Sequence, residues 1–334
     1  MVEITIEDIT ISLDTFPAQE FKNVTVIPIK SVCSINEDIL TLKKGLSLGL
    51  VEITECNPST VGEILVKNDS IAPLILVDGE EIVGAKQNRI INSTILIPPV
   101  TTSKVSVSCT EQGRWEYKNS DVKFSQSKYF ANSNTRRLKS MNLYDNAPCQ
   151  NMVWDSINEL EEYTKSRSPT SALNDTYENI NHNEIINHFK CLDGQIGLII
   201  VFNNEILGLE LFASSWLYSD FHEKIIRSYL IDNINSNIDS NKTLTGFSGS
   251  KFNHLNYDID IFLANISLSN FKRETNVGLG DTIKFSNIYG TGSSLIYKDN
   301  IIYLNYFKKK EAPHFYSPVD FDLGYSKPTN QVLY

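Results

Sequence analysis

The chain has 334 residues, 41% of them hydrophobic and 21% charged, enough apolar content to bury a sizeable core and too much for wholesale disorder. A net charge of −10 argues against a nonspecific nucleic-acid binder or a protein held on anionic lipid, although a local basic pocket needs only a few cations. Five scattered cysteines without a C-x-x-C pair favour neither a zinc ribbon nor a disulfide framework, and point to a reduced, cytoplasmic compartment.

The opening Met-Val-Glu-Ile-Thr-Ile alternates and lacks a basic and then apolar leader pattern, so it is expected to be a strand and not a signal peptide. No apolar run approaches the roughly 18 residues that cross a bilayer, and no membrane role is expected. Residues 1–16 read as one or two strands, and 24–29 as another. A short helix over 39–45 leads into strands at 50–55 and 62–67, the last ended by the Asn68-Asp69-Ser70 turn signal.

Residues 74–117 hold nearly every unusual polar cluster. Apolar runs at 74–77 and 80–83 flank Asp78-Gly79, which predicts a hairpin, because both positions tolerate positive φ. Residues 90–97 are rich in β-branched side chains, and 104–110 alternate as a half-buried strand. In a simple up-and-down meander, Asp78-Gly79-Glu80-Glu81 lies at one end. The turns at 85–89 and 111–114 then lie together at the other.

Residues 118–148 are polar and weakly patterned, with Arg136-Arg137-Leu138-Lys139 as a basic knot, and read as a long surface connection. An amphipathic helix is expected over 150–165, burying Trp154, and another begins at Ser168-Pro169. Residues 184–189 extend the helical part, and strands return at 196–202 and 205–211. The longest helix spans 214–235, with Trp216 on its inner stripe. An Asn/Ser/Gly-rich loop over 236–253, a helix over 257–268 and strands at 282–285, 294–297 and 301–307 follow. Residues 74–84 echo 198–208, which is either convergent hairpin composition or a duplicated strand-rich unit.

The expected class is α+β: largely antiparallel sheets covered by helices. Its parts are a strand-rich half (1–117), a connection (118–149), a helix-plus-sheet half packed on the first (150–310) and an aromatic tail (311–334). The two halves are also readable as one domain. The tail either wraps the body or meets a protein partner.

The runs DGEE, GAKQNR and VSCTEQGRW resemble a prokaryotic family named for association with ADP-ribosylglycohydrolases and rhodanese/phosphatase-superfamily proteins. Fainter matches follow at Gln150 with Trp154, at Gly197 with Gly208, and at Gly278 and Gly280 before the closing hairpin. What the resemblance implies is a setting linked to ADP-ribose or other NAD-derived nucleotides, in conflict or repair; it implies no particular reaction.

Taken by their chemistry, Arg89 and Arg114 can each grip phosphate oxygens through two parallel hydrogen bonds, with Lys86 as a third charge. Gln87 and Asn88 suit a base or ribose edge, Trp115 can stack on a ring, and Glu111 can serve as a general base. The competing reading is an Arg89–Glu111 ion pair that pins two turns. Asp78, Glu80 and Glu81 suit a hard metal such as magnesium or calcium, or else form an acidic tip that stays solvated. The Gly290-Thr291-Gly292 run is either a phosphate-wrapping loop or a hairpin turn. The functional expectation is therefore binding of an ADP-ribose-like or other NAD-derived nucleotide at the 86–89 and 111–115 turns, with its processing by an enzyme left open. The alternative is a non-catalytic scaffold or partner-binding protein in which those residues brace the sheet.

Overall fold

The computed structural model describes residues 2–6, 9–30, 38–117, 123–141, 150–180, 182–233, 259–275 and 277–309. The chain opens with β1 (Val2–Ile6), β2 (Ile9–Thr15), β3 (Gln19–Phe21) and β4 (Val24–Lys30). Next come β5 (Leu40–Thr41), α1 (Leu42–Ser47), β6 (Val51–Glu55), β7 (Glu63–Asn68), β8 (Leu74–Leu76) and β9 (Glu80–Gly84). Then follow β10 (Arg89–Ile91), β11 (Ile95–Ile97), β12 (Thr101–Cys109), β13 (Phe124–Phe130), α2 (Ser133–Met141) and α3 (Gln150–Thr164). The remainder is α4 (Leu173–Glu178), α5 (Asn183–Ile186), β14 (Gln195–Phe202), β15 (Glu205–Phe212), α6 (Ser215–Leu230), β16 (Asn270–Thr275), β17 (Asp281–Ser286), β18 (Gly290–Tyr297) and β19 (Asn300–Lys308). Residues 259–267 are also helical.

The strands form a ten-stranded sheet in the order β1-β2-β4-β14-β15-β19-β18-β17-β16, with β3 also on β4, a six-stranded sheet β13-β9-β10-β12-β7-β6, and a small sheet β11-β8-β5. Pairings are antiparallel except β5 with β8. An antiparallel bridge between Thr54 of β6 and Lys123, just before β13, joins the outer strands of the six-stranded sheet, which therefore curls towards closure. Its interior is filled by Ile53, Ile64, Val66, Ile82, Val105, Val107 and Phe124. Side-chain filling is what makes a small curled sheet a solid core and not a pore.

The ten-stranded sheet is covered on both faces, which explains the unbroken apolar run of β14. Leu198 and Ile200 join one cluster with Phe221, Ile225 and Ile226 of α6. Ile199 and Val201 join the opposite cluster with Phe262, Leu263 and Ile266. Ser214 caps α6, its side chain accepting from the Leu217 N–H, so apolar spacing and the cap agree on where that helix begins.

Several expectations are corrected. Asp78-Gly79 is no hairpin, because β8 pairs with β11 while β9 pairs with β10 and β13. The expected strand 90–97 divides likewise into β10 and β11. Both crossings sit side by side: the Gly79 N–H donates to Ile91 O at 2.9 Å and the Asp78 N–H to Thr94 Oγ1 at 3.0 Å. The Glu80 N–H still closes the turn onto Val77 O at 2.9 Å, but the donors inside the turn go to the neighbouring corner and no ladder between β8 and β9 continues from it.

The echo of 74–84 with 198–208 consequently matches a sheet-switching corner to a true hairpin, β14–β15. The expected surface connection holds β13 and α2, and Arg136 on α2 is fully buried. Trp216 is 40% exposed, not core. The Gly290–Gly292 run lies inside β18; a Cβ at Gly290 would strike the Tyr306 ring and one at Gly292 the Asn305 carbonyl, so these glycines admit close neighbours and wrap nothing. The 236–253 loop and the 311–334 tail, with the partner role expected of it, lie outside the described residues.

Candidate functional site

The meander expectation holds in one respect: the turns at 85–89 and 111–114 do meet, since Arg89 pairs with Cys109 in the β10–β12 ladder. What they build is a buried clamp. Arg114 donates through Nη1 to Ala85 O and Glu116 O, each at 2.7 Å. Its Nη2 donates to Glu111 Oε2 at 2.6 Å and to Asn88 Oδ1 and Gly84 O at 3.2 Å. The Asn88 N–H donates to the same Glu111 Oε2, and Thr170 Oγ1 to Oε1 at 3.0 Å.

Arg89, fully buried, donates to Val61 O at 2.9 Å, Gln87 Oε1 at 3.1 Å and Thr60 O at 3.4 Å, with Glu55 as its ion-pair partner at 3.6 Å. Gln87 donates to Glu111 O. The terminal nitrogens of both guanidiniums are therefore directed into packed protein and bonded there. Arg89 and Glu111 do not form the expected ion pair: Glu111, with Arg114 and the Asn88 N–H, pins the two turns, whereas Arg89 pairs with Glu55 of β6. Of the six residues expected to bind a ligand, Lys86 and Trp115 reach the surface, the lysine ammonium lying 5.4 Å from the Trp115 ring centroid and 5.5 Å from that of the neighbouring Tyr117. The inner side of Trp115 belongs to Arg89, whose guanidinium carbon is 5.3 Å from its ring centroid.

The acidic run is buried, so the solvated-tip expectation fails, and its last member, Glu81, reaches Thr110 beside the clamp. Its three carboxylates turn to different walls, and among the described residues no group of His, Cys, Asp and Glu is arranged to hold a metal. Lys139 Nζ donates to Asp78 Oδ1 at 2.7 Å. Glu80 accepts from Gln126 at 2.7 Å and from Lys224 at 3.4 Å. Glu81 accepts from Thr110 at 3.1 Å and Asn174 at 3.4 Å; burial pushes its carboxyl up to about 7, against the pull of hydrogen bonds from Ser127, Thr110 and Asn174. Burial also lowers the Lys139 and Lys224 ammoniums, against their carboxylate partners.

Next to Asp78, Arg136 makes a bidentate pair with Glu210 of β15, at 2.7 and 3.0 Å, and donates to Tyr303 Oη of β19 at 2.7 Å. The Tyr303 hydroxyl in turn donates to Glu210 in a very short bond. Asp78 Oδ2 lies 3.9 Å from Arg136 Nε. This network bolts α2 to the large sheet and to the β8–β9 corner. Two signals for it stand in the sequence. Glu210 interrupts the apolar run LGLELF, which marks a buried charge in need of a partner, and Arg136 and Lys139 share one helix face by their spacing.

The other flank of α2 opens on a cleft of about 290 Å³ between the start of β15, the end of β19 and the last turn of α6. Arg137, Lys308 and Lys309 line it beside Ser133, Asn134, Glu205 and Phe307. Burial lowers the pKa of Arg137, and the negative charge of Asp232, in the same cleft, opposes that shift. Arg137 keeps one side-chain bond to Asn134 Oδ1 at 2.7 Å and a contact with Met141 Sδ. The Lys309 ammonium donates to Ser286 Oγ at 3.0 Å and Asn287 O at 2.5 Å. Burial and, after it, the positive charge of Arg137 push its pKa down. Asp232 lines the same cleft but is engaged by the first turn of α2, accepting from Ser133 Oγ and the Asn134 N–H at 2.7 Å. None of these cleft residues was anticipated as a site, because the three cations converge only through the packing of α2 against β19.

Fold and clusters define an α+β protein of antiparallel sheets braced by buried ion pairs, with a cation-lined cleft at one end of the large sheet. The chain belongs to the family described as the ARG and Rhodanese-Phosphatase-superfamily-associated Protein domain, whose model matches residues 12–307. No curated protein and no solved structure matches it. No helix among the described residues is long and apolar enough to cross a membrane.

Proposed function

We propose that the chain binds an anionic, NAD-derived nucleotide-type ligand related to ADP-ribose, and that the ligand enters the Arg137–Lys309 cleft and not the turns at 86–89 and 111–115. One observation carries this reading: in a chain of net charge −10, Arg137, Lys308 and Lys309 line one cleft, where three cations outnumber the carboxylates, of which the half-buried Asp232 acts on Arg137 but is hydrogen-bonded by the first turn of α2. Cations in excess of carboxylates in a concave, partly desolvated setting favour phosphate. The family's named association with ADP-ribosylglycohydrolase proteins supplies the ligand class. The clamp at Arg89, Glu111 and Arg114 acts in this reading as structure.

Titration calorimetry of the full chain with ADP-ribose and NAD tests it. Binding is expected, and Arg137→Ala or Lys309→Ala should abolish it without a matching loss of melting temperature. Absence of heat with folded protein would reject the reading, as would binding indifferent to both substitutions.

A second reading, a scaffold or partner-binding protein, is favoured by the saturation of the Arg114 terminal nitrogens within the chain. It predicts no ligand-dependent stabilisation at all.

A further inference from the structure

We infer that the cleft selects a phosphomonoester of about the size of a pentose phosphate or mononucleotide over an extended dinucleotide; this rests on the reading of the cleft as an anion site. Three features of the cleft point that way. The first is size: about 290 Å³ stands at the lower limit of the roughly 300–1,000 Å³ typical of small-molecule pockets. A phosphorylated sugar or single nucleotide fills such a space, whereas the second half of a dinucleotide must project from it.

The second feature is the focus of the charge. Arg137, on α2, and Lys309, just after β19, line the same cleft together with Lys308. Ser286 and Asn287, which do not line the cleft, accept two of the three protons of the Lys309 ammonium, and one further proton is left to offer. A terminal phosphomonoester concentrates about −1.5 to −2 of charge on one group at neutral pH. The internal pyrophosphate of a dinucleotide spreads single charges over two phosphorus centres, which matches two converging cations less well.

The third feature is the wall. Asn233 Nδ2 is engaged by Tyr229 O at 2.7 Å, which leaves its carboxamide oxygen as an acceptor. Glu205 stands exposed and lines the same cleft. Acceptors beside a cationic focus suit sugar hydroxyls. The N-terminus of α2 contributes no anion site of its own, since Asp232 already accepts from it.

The test is calorimetry on the full chain with ribose, ribose 5-phosphate, AMP and ADP-ribose, at about pH 7.5 and about pH 5.5, on either side of the second monoester pKa. Ribose 5-phosphate and AMP should bind and ribose should not. Affinity for both phosphomonoesters should fall several-fold at the lower pH, and ADP-ribose should bind no more tightly than AMP. Arg137→Ala and Lys309→Ala should each weaken AMP by roughly tenfold or more. ADP-ribose binding more than roughly tenfold tighter than AMP, or no loss of AMP affinity at the lower pH, would overturn the phosphomonoester inference and leave the anion site standing. Folded protein that binds none of the phosphate probes would overturn both.

Discussion

Arg114 donates to Glu111 at 2.6 Å across a single tight turn, with both side chains almost wholly excluded from solvent. A carboxylate held this way cannot be left alone cheaply, because removing one partner of a buried pair strands the other charge. Arg114→Ala is therefore expected to destabilise the fold by about 3–5 kcal/mol. The double variant Arg114→Met with Glu111→Gln should recover much of that loss. Urea unfolding of the two single variants and the double measures the coupling. A loss below about 1 kcal/mol for Arg114→Ala would mean that the pair is dispensable and that Arg114 stands available for other work.

The meeting of the 85–89 and 111–114 turns was legible in the sequence, because alternation over 104–110 and the strand before it fix the ladder in which Arg89 lies opposite Cys109. The destination of the side chains was not. Whether an arginine faces a cavity or five protein acceptors depends on backbone carbonyls such as Ala85 O and Glu116 O, and a carbonyl leaves no mark in residue type. The Asp78-Gly79 signal was read correctly as a turn and wrongly as a hairpin. Positive φ at Gly79 is real, but the partner strand is chosen by long-range pairing. Arg136 was hidden for the opposite reason: a polar stretch looks exposed until Glu210, more than seventy residues away, claims one of its members.

Gly79 itself gives a sharp contrast with Gly49. Both have positive φ, +81° and +68°, but a Cβ at Gly79 would come within 2.6 Å of Arg136 Cδ while one at Gly49 meets nothing within 4 Å. Gly49→Ala should cost only the backbone term, about 1–2 kcal/mol. Gly79→Ala should cost more, since it also displaces the guanidinium from Glu210. Thermal unfolding of the two variants side by side checks the order, and equal losses would show that Arg136 shifts freely.

Glu81 links stability to pH. Burial raises its folded pKa from 4.5 to about 7, so the neutral acid is the form that suits the fold. Its contribution is fully present below the unfolded value and is lost as pH rises through about 7. Buried His222 acts in the opposite sense: burial lowers its pKa, and the associated stability, present above its ordinary value, is lost as pH falls. The wild-type profile therefore mixes both, and the difference between wild type and Glu81→Gln isolates the carboxyl. Relative to wild type the variant should gain up to about 3 kcal/mol between pH 5 and 8, the span set by a shift of about 2.5 pH units. A difference that stays flat with pH would place the Glu81 titration outside that window.

The Arg136–Glu210 pair joins elements that no backbone ladder connects, since α2 carries the cation and β15 the carboxylate, with Tyr303 of β19 bonded to both. Arg136→Met strands Glu210 in a fully buried position and leaves Asp78 with Lys139 alone. A loss of about 3–5 kcal/mol is expected, and the double-mutant cycle with Glu210→Gln should show a coupling of roughly 2–3 kcal/mol. The loss should also be local before it is global. Amide exchange in α2 should accelerate in Arg136→Met, because the helix then loses its tie to the large sheet through Glu210 and Tyr303. It keeps the Asp232 contact at its start, the Thr135–Ser156 and Lys139–Asp78 bonds along it and the Thr291 hydroxyl bond to Ser140 O at its end. Since Arg137 rides on that helix, the same variant should weaken AMP binding while Gly49→Ala leaves it unchanged. Unaltered exchange in α2 together with full binding would show that packing alone holds the helix in place.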